Sequence, residues 1–194
     1  LIHMILNPLL LWDIKKAIQV EEWKEKTGEN LICWIETIGT FDAYVSLGTF
    51  RFNHADYVFP SFTDNYFLME GKALGHPLMN SATCIRNDIS ISGTASFLII
   101  TGANMAGKST YLRTIGTNYL LACMGAPVCA KELTIYPANL VTSLRTSDSL
   151  NDNESYFFAE LKRLKMIIDR LESGEKLFII LDEILKGTNS VDKQ

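Results

Sequence analysis

The run Gly102-Ala103-Asn104-Met105-Ala106-Gly107-Lys108-Ser109-Thr110 follows directly on the apolar segment Phe97-Leu98-Ile99-Ile100. It fits the phosphate-binding loop pattern G-x-x-x-x-G-K-[ST], which belongs between a buried strand and a helix. At average residue usage its four fixed positions coincide by accident in roughly one chain in a hundred of this length. The chemistry explains the residue types. Gly102 and Gly107 let the backbone curl until successive N–H groups converge on phosphate oxygens. Lys108 brings a point charge to the β- and γ-phosphates, and the Ser109 hydroxyl is placed to ligate Mg2+. The helix expected from Lys108 to Met124 adds the positive end of its dipole. A glycine-rich turn without a ligand is the plainer alternative, and the strand and helix expected on either side weigh against it. The pattern predicts binding of a nucleoside triphosphate.

A second half of such a site lies downstream. Leu177-Phe178-Ile179-Ile180-Leu181 is a continuous apolar run, as expected of a parallel strand buried on both faces. It ends in Asp182-Glu183, and ligands of open α/β sheets sit beyond the carboxyl ends of the strands. Asp182 is placed to hold Mg2+, directly or through water, and Glu183 to take a proton from an attacking water. Two solvated acids on a surface turn are the alternative, which the upstream loop disfavours.

The rest of the chain reads as an α/β fold behind a helical segment. Asn7-Pro8 predicts a helix start, with Leu11, Ile14 and Ile18 on its apolar face and Thr27-Gly28 closing it. A second helix is expected from about Glu29, carrying Leu31, Ile35, Ile38, Asp42 and Val45 at helical spacing, so that the two form a helical hairpin. Irregular chain around Pro60, Asp64 and Asn65 suggests a boundary, giving a helical part over 1–58 and an α/β part over 59–194. Strands are expected at Phe67–Glu70, Ile89–Ser92, Phe97–Ile100 (the central one), Pro127–Ala130, Leu133–Tyr136 and Val141–Leu144. A strongly amphipathic helix is expected from Tyr156 to Leu171.

A formal net charge of −4 argues against a surface made to coat DNA. Cys33, Cys84, Cys123 and Cys129 form no C-x-x-C pair, and with only His3, His54 and His76 beside them a metal cluster is not expected. Reduced thiols and a cytoplasmic location are the plain reading. No apolar run reaches membrane-spanning length. The chain stops within a motif, which reads as a piece of something larger.

With these residues in view, the chain resembles the MutS mismatch-repair ATPases. The loop from Gly102 to Thr110, extended by Tyr111-Leu112-Arg113, is similar to theirs in its Asn104-Met105 and in the residues that follow. Tyr57-Val58-Phe59-Pro60, Gly75-His76-Pro77 and Asn87-Asp88 resemble three further family segments. So do Ser155-Tyr156-Phe157-Phe158-Ala159-Glu160-Leu161 and Asp182-Glu183-Ile184-Leu185-Lys186-Gly187-Thr188-Asn189-Ser190. The resemblance implies a P-loop, ABC-like ATPase sheet with flanking helices, preceded by the end of a long core domain. It implies ATP and Mg2+ as ligands and a homodimer in which each nucleotide is completed by the partner. Ser155 would then reach the γ-phosphate of the other subunit, and Thr188 and Asn189 would lie across the dimer contact. DNA would be contacted by parts of a parent protein absent from this chain. Read without the family, Ser155 is a helix N-cap.

Several positions depart from the family pattern. Ala103 and Ala106 stand where Pro and Gly are usual, Cys84 where an aromatic stacks on adenine, Asn153-Glu154 where Gly-Arg is expected, Tyr156 for Thr, and Leu185 for Gly. These departures fit a divergent MutS-like branch, and the chain, which ends before the family's last sheet strands, is expected to bind nucleotide weakly and hydrolyse it slowly. They keep open a non-catalytic, nucleotide-gated dimerisation module, and an ABC-type ATPase of another pathway.

Overall fold

From Trp12 to Asn53 the chain is one unbroken α-helix, α1, of 42 residues. A computed structural model describes residues 11–93, 96–103, 106–144 and 156–182. At 1.5 Å per residue α1 is about 60 Å long. The expected hairpin is therefore replaced by a single rod. Thr27-Gly28 predicts a helix end, but an end of that kind needs a left-handed residue, and Gly28 is not among the positive-φ glycines. An interior glycine costs only about 1 kcal/mol against alanine. Helix-forming sequence continues on both sides, so propagation prevails over termination. Thr37, Thr40 and Thr49 turn their hydroxyls back onto the carbonyls of Cys33, Glu36 and Val45 and thereby fit the helix interior. Within its own unit α1 buries no residue, and Trp12, Trp23, Trp34 and Phe41 are exposed. The expected start at Asn7-Pro8 lies outside the described residues.

The chain divides between Asn53 and His54 into two compact units. The second is mixed α/β. Its larger sheet has strand order β1-β4-β2-β3, formed by β1 (Ser61–Phe62), β2 (Leu68–Leu74), β3 (Asn87–Ser92) and β4 (Glu132–Ile135). β1 runs parallel to β4, while β2 is antiparallel to both β3 and β4. A separate pair joins β5 (Asn139–Ser143) and β6 (Leu177–Leu181) in parallel. Helix α2 (Lys108–Cys123) covers β2 and β5, and α3 (Tyr156–Glu172) follows β5 in sequence. Alternation along the first part of β2 sends Met69 and Gly71 inward and leaves Glu70 and Lys72 to solvent, and the register shift between Gly71 and Leu74 brings Leu74 inward as well.

One core holds these pieces together. Ile115, Tyr119 and Ala122 from α2 meet Met69, Leu74, Leu133 and Ile135 from the large sheet and Phe178 and Ile180 from β6. Each large apolar side chain sealed there contributes about 1.5–3 kcal/mol. Tyr119 also spends its hydroxyl on the chain, donating to the Tyr136 carbonyl at 2.8 Å and accepting the Ala138 N–H at 2.7 Å. This fixes the turn between β4 and β5. Gly116 lets α2 pack closely on β6, since a Cβ there would stand 3.1 Å from Ile180 Cδ1 and that side chain would have to give way slightly. A smaller cluster of Val141, Ile167 and Leu177 seats α3 on the parallel pair.

Two strand expectations are corrected. Phe97–Ile100, read as the central buried strand, is not part of a strand, and Phe97 and Ile99 are 82% and 71% exposed. A continuous apolar run expresses a need for burial without naming the partner that satisfies it. Among the described residues no strand pairs with it. Pro127–Ala130 makes only an isolated bridge, Val58 to Val128.

Candidate nucleotide-binding site

The start of α2 has features that favour an anion. Gly107 is its N-cap residue in a left-handed conformation (φ 86°, ψ 10°), which a side-chain-bearing residue adopts only with strain. The cap offers no side-chain acceptor, and the first turn holds no acidic residue. The helix therefore presents its N–H groups and positive dipole end without internal neutralisation. Lys108 folds over the loop it follows. Its Nζ donates to the carbonyls of Gly102 at 2.5 Å and Ala103 at 2.8 Å. An ammonium held by carbonyls, with no carboxylate partner among the described residues, keeps its charge available to a phosphate.

Beside this turn lies a cavity of about 510 Å³, within the usual range for a small-molecule site. Ala106, Gly107, Lys108 and Thr110 form one wall, and Met79, Thr83 and Ile85 stand on the segment opposite in sequence. Ile100 and Thr101 enter it from the chain preceding the loop. The cavity is thus polar and cationic where α2 begins and apolar along the turn before β3.

The remaining wall is braced by Asp88. Its carboxylate accepts the Ala73 N–H at 2.8 Å and Lys72 Nζ at 3.0 Å, and its own carbonyl accepts the Tyr111 hydroxyl at 2.8 Å. Those bonds tie together the irregular end of β2, the start of β3 and the first turn of α2. The N–H of Ala73 and the Lys72 ammonium hold the Asp88 carboxyl below its ordinary range. Burial, and then the Asp88 charge, push the Tyr111 phenol up, so it stays a neutral donor.

The segments singled out in the sequence meet around α2. Gly75 donates its N–H to the Cys129 carbonyl at 2.8 Å and accepts Asn118 Nδ2 at 2.9 Å. The Tyr57 hydroxyl donates to the Pro77 carbonyl at 3.3 Å, next to the Val58–Val128 bridge. Gly75 is therefore joined to α2 through Asn118 and Tyr57-Val58 to Pro77 and Val128, and neither segment lines the cavity.

Of the expected site residues, the structure brings Ala106, Gly107, Lys108 and Thr110 onto the cavity wall, with Gly102 and Ala103 joined through the Lys108 ammonium. Ser109 sits half-buried in the first turn of α2, and Asp182 half-buried just past β6, where its N–H donates to the Ser143 carbonyl at 2.9 Å. Neither lines the cavity. Asn104, Met105, Ser155, Glu183, Thr188 and Asn189 lie outside the described residues. Sequence reasoning missed Met79, Thr83, Ile85 and Thr114 as wall residues. Their one signal was position, since the first three fall between Gly75-His76-Pro77 and Asn87-Asp88. Cys84, which stands where the resemblance expects an aromatic, turns its Sγ to the His76 N–H at 3.3 Å and leaves the wall to its two neighbours.

The fold and site define a mixed α/β domain whose helix α2 begins at a left-handed glycine followed by a lysine. Residues 98–194 match the family model described as MutS domain V. The human MutS protein homolog 4 is 33% identical over 163 residues, 80% of this chain and 16% of that protein. The DNA mismatch repair protein MutS of Thermus aquaticus is 31% identical over 178 residues, 90% of this chain and 21% of that protein. The protein of the same name from Fusobacterium nucleatum is 34% identical over 143 residues, 70% and 15%. The chain belongs to the MutS domain V family. It spans only 15–21% of the length of these relatives. Among the described residues no helix is long and apolar enough to cross a membrane.

Proposed function

We propose that this chain is the ATP-binding and ATP-hydrolysing part of a MutS-like DNA-binding protein. In that protein it couples nucleotide state to recognition of mismatched or otherwise altered DNA. The observation that carries the reading is the start of α2: an acid-free helix end, a left-handed Gly107 and the Lys108 ammonium, all opening on one cavity. The loop backbone from Gly102 to Thr110 wraps the phosphates, with Lys108 swinging from its carbonyl partners onto the β- and γ-oxygens. Met79, Thr83 and Ile85 then receive the base. Ser109 and Asp182 are the side chains that would hold Mg2+, which supplies charge neutralisation on the phosphate oxygens. Glu183 takes a proton from water as its oxygen bonds to the γ-phosphorus and the bond to the bridging oxygen breaks. Ser155 of a second copy completes the γ-phosphate site, and Thr188 and Asn189 meet across that homodimer. DNA is held by regions outside this chain.

The Glu183→Gln variant of the full-length parent tests the chemistry. ATP binding should persist while phosphate release slows by about 10²- to 10⁴-fold, the usual worth of a general base. Equal turnover in variant and parent would remove Glu183 from the mechanism. ATP-dependent dimerisation with no phosphate release from the parent would favour a nucleotide-gated dimerisation module instead.

A further inference from the structure

Cys84 and Cys129 are far apart in sequence and close in space. Their Sγ atoms lie 3.1 and 2.9 Å from the point where a Cβ on Gly75 would stand. Each being about 3 Å from a shared point, the two sulfurs are at most about 6 Å apart. Only glycine at 75 leaves that space open. The two thiols are held differently. Cys129 is 3% exposed, and its backbone is fixed on both sides, the N–H by Asn118 Oδ1 and the carbonyl by the Gly75 N–H, each at 2.8 Å. Cys84 is half-buried at the end of a turn closed by the bonds of Thr83 and Cys84 N–H to the Asn80 carbonyl. No strand pairing restrains that turn. The His76 N–H at 3.3 Å holds the Cys84 sulfur beside Gly75.

We propose that Cys84 and Cys129 form an oxidisable dithiol site, with a hydroperoxide as its reagent. The Cys84 thiolate attacks a peroxide oxygen, the O–O bond breaks, and water leaves after taking up a proton, giving a sulfenic acid. The Cys129 sulfur then attacks the Cys84 sulfur and displaces its hydroxyl as a second water. Two thiols and one hydrogen peroxide become one disulfide and two waters. Reaching a bond length of about 2 Å needs the Cys84 turn to close by no more than about 4 Å. The disulfide pins the chain between His76 and Cys84, which carries Met79 and Thr83 on the cavity wall, to the segment before β4. Cys33 and Cys123 are both exposed, so simple accessibility favours oxidation there and opposes the proposed pair.

The test is peptide mapping under non-reducing conditions after the reduced full chain is treated with one equivalent of hydrogen peroxide. It reads a crosslink and is independent of whether nucleotide binds. The expected result is a Cys84–Cys129 linked peptide as the main product, with two of the four thiols lost. The Cys33→Ser/Cys123→Ser double variant should give the same linkage. Cys129→Ser should give a dimedone-reactive Cys84 and no linked peptide. Linkage through Cys33 or Cys123, a disulfide between chains, or survival of all four thiols would overturn the proposal.

Discussion

Asn118 shows how much one buried polar side chain can organise. It is fully buried, its Nδ2 donates to the carbonyls of Gly75 and Thr114, and its Oδ1 accepts the Cys129 N–H. Asn118→Ala strands the Gly75 carbonyl and the Cys129 N–H in the core. Such groups cost about 1–3 kcal/mol each, so urea unfolding should show a loss of roughly 2–4 kcal/mol. Nothing in the sequence pointed to Asn118, because two of its three partners are backbone groups 11 and 43 residues away. The turn of Gly107 into a helix starting at Lys108 was legible for the opposite reason, since it depends on a local backbone shape. Ile85 belongs with the residues that were missed. It is 81% exposed, and it lines the cavity. Ile85→Ala should weaken ATP binding by about 3- to 10-fold through lost apolar contact while leaving inorganic tripolyphosphate unaffected. Equal weakening of both ligands in an equilibrium titration would move the base elsewhere.

Among the elements, α2, α3 and β6 were readable to within a residue or two. Each carries its own signal, whether a glycine turn before the helix, a strong helical stripe, or a continuous apolar run bounded by polar residues. α1 and the Phe97–Ile100 segment were not, for two different reasons. A glycine end signal in α1 lost to the helix on either side of it. The hydrophobicity of Phe97–Ile100 gave no partner. The irregularity of β2 between Gly71 and Leu74 was likewise invisible, although it places Ala73, at φ 50°, to donate to Asp88. That junction has a pH signature. The Asp88 carboxyl is held low by the Ala73 N–H and then by Lys72, so the folded state gives up this proton more readily than the unfolded chain. Its contribution is complete above the ordinary carboxylate pKa of about 4 and fades as pH falls through the lower folded value. Asp88→Asn should therefore be less stable than the parent near neutrality, with the gap closing below about pH 4. Glu175, also held low by Arg170, is unchanged in that comparison and cancels. A gap independent of pH would show that the Asp88 charge is not what joins β2 to β3.

At the scale of the whole molecule, the chain is an α/β unit and a separate long helix, and it matches relatives several times its length. The resemblance read from scattered motifs agrees with the MutS domain V match over residues 98–194. What the motifs alone could not supply was the arrangement in space: Gly75 and Cys129 hold α2 through Asn118, while Asp88 holds its first turn against the sheet through Tyr111. The central claim concerns the object they brace, a cationic helix start that grips a triphosphate. Calorimetric titration of ATP with Mg2+ into the parent protein and its Lys108→Ala variant measures it directly. The account predicts saturable binding weakened about ten- to a hundredfold by the substitution, the worth of a charged hydrogen bond, with the melting temperature unchanged. Identical affinity in the two proteins, or no binding to either, would contradict it.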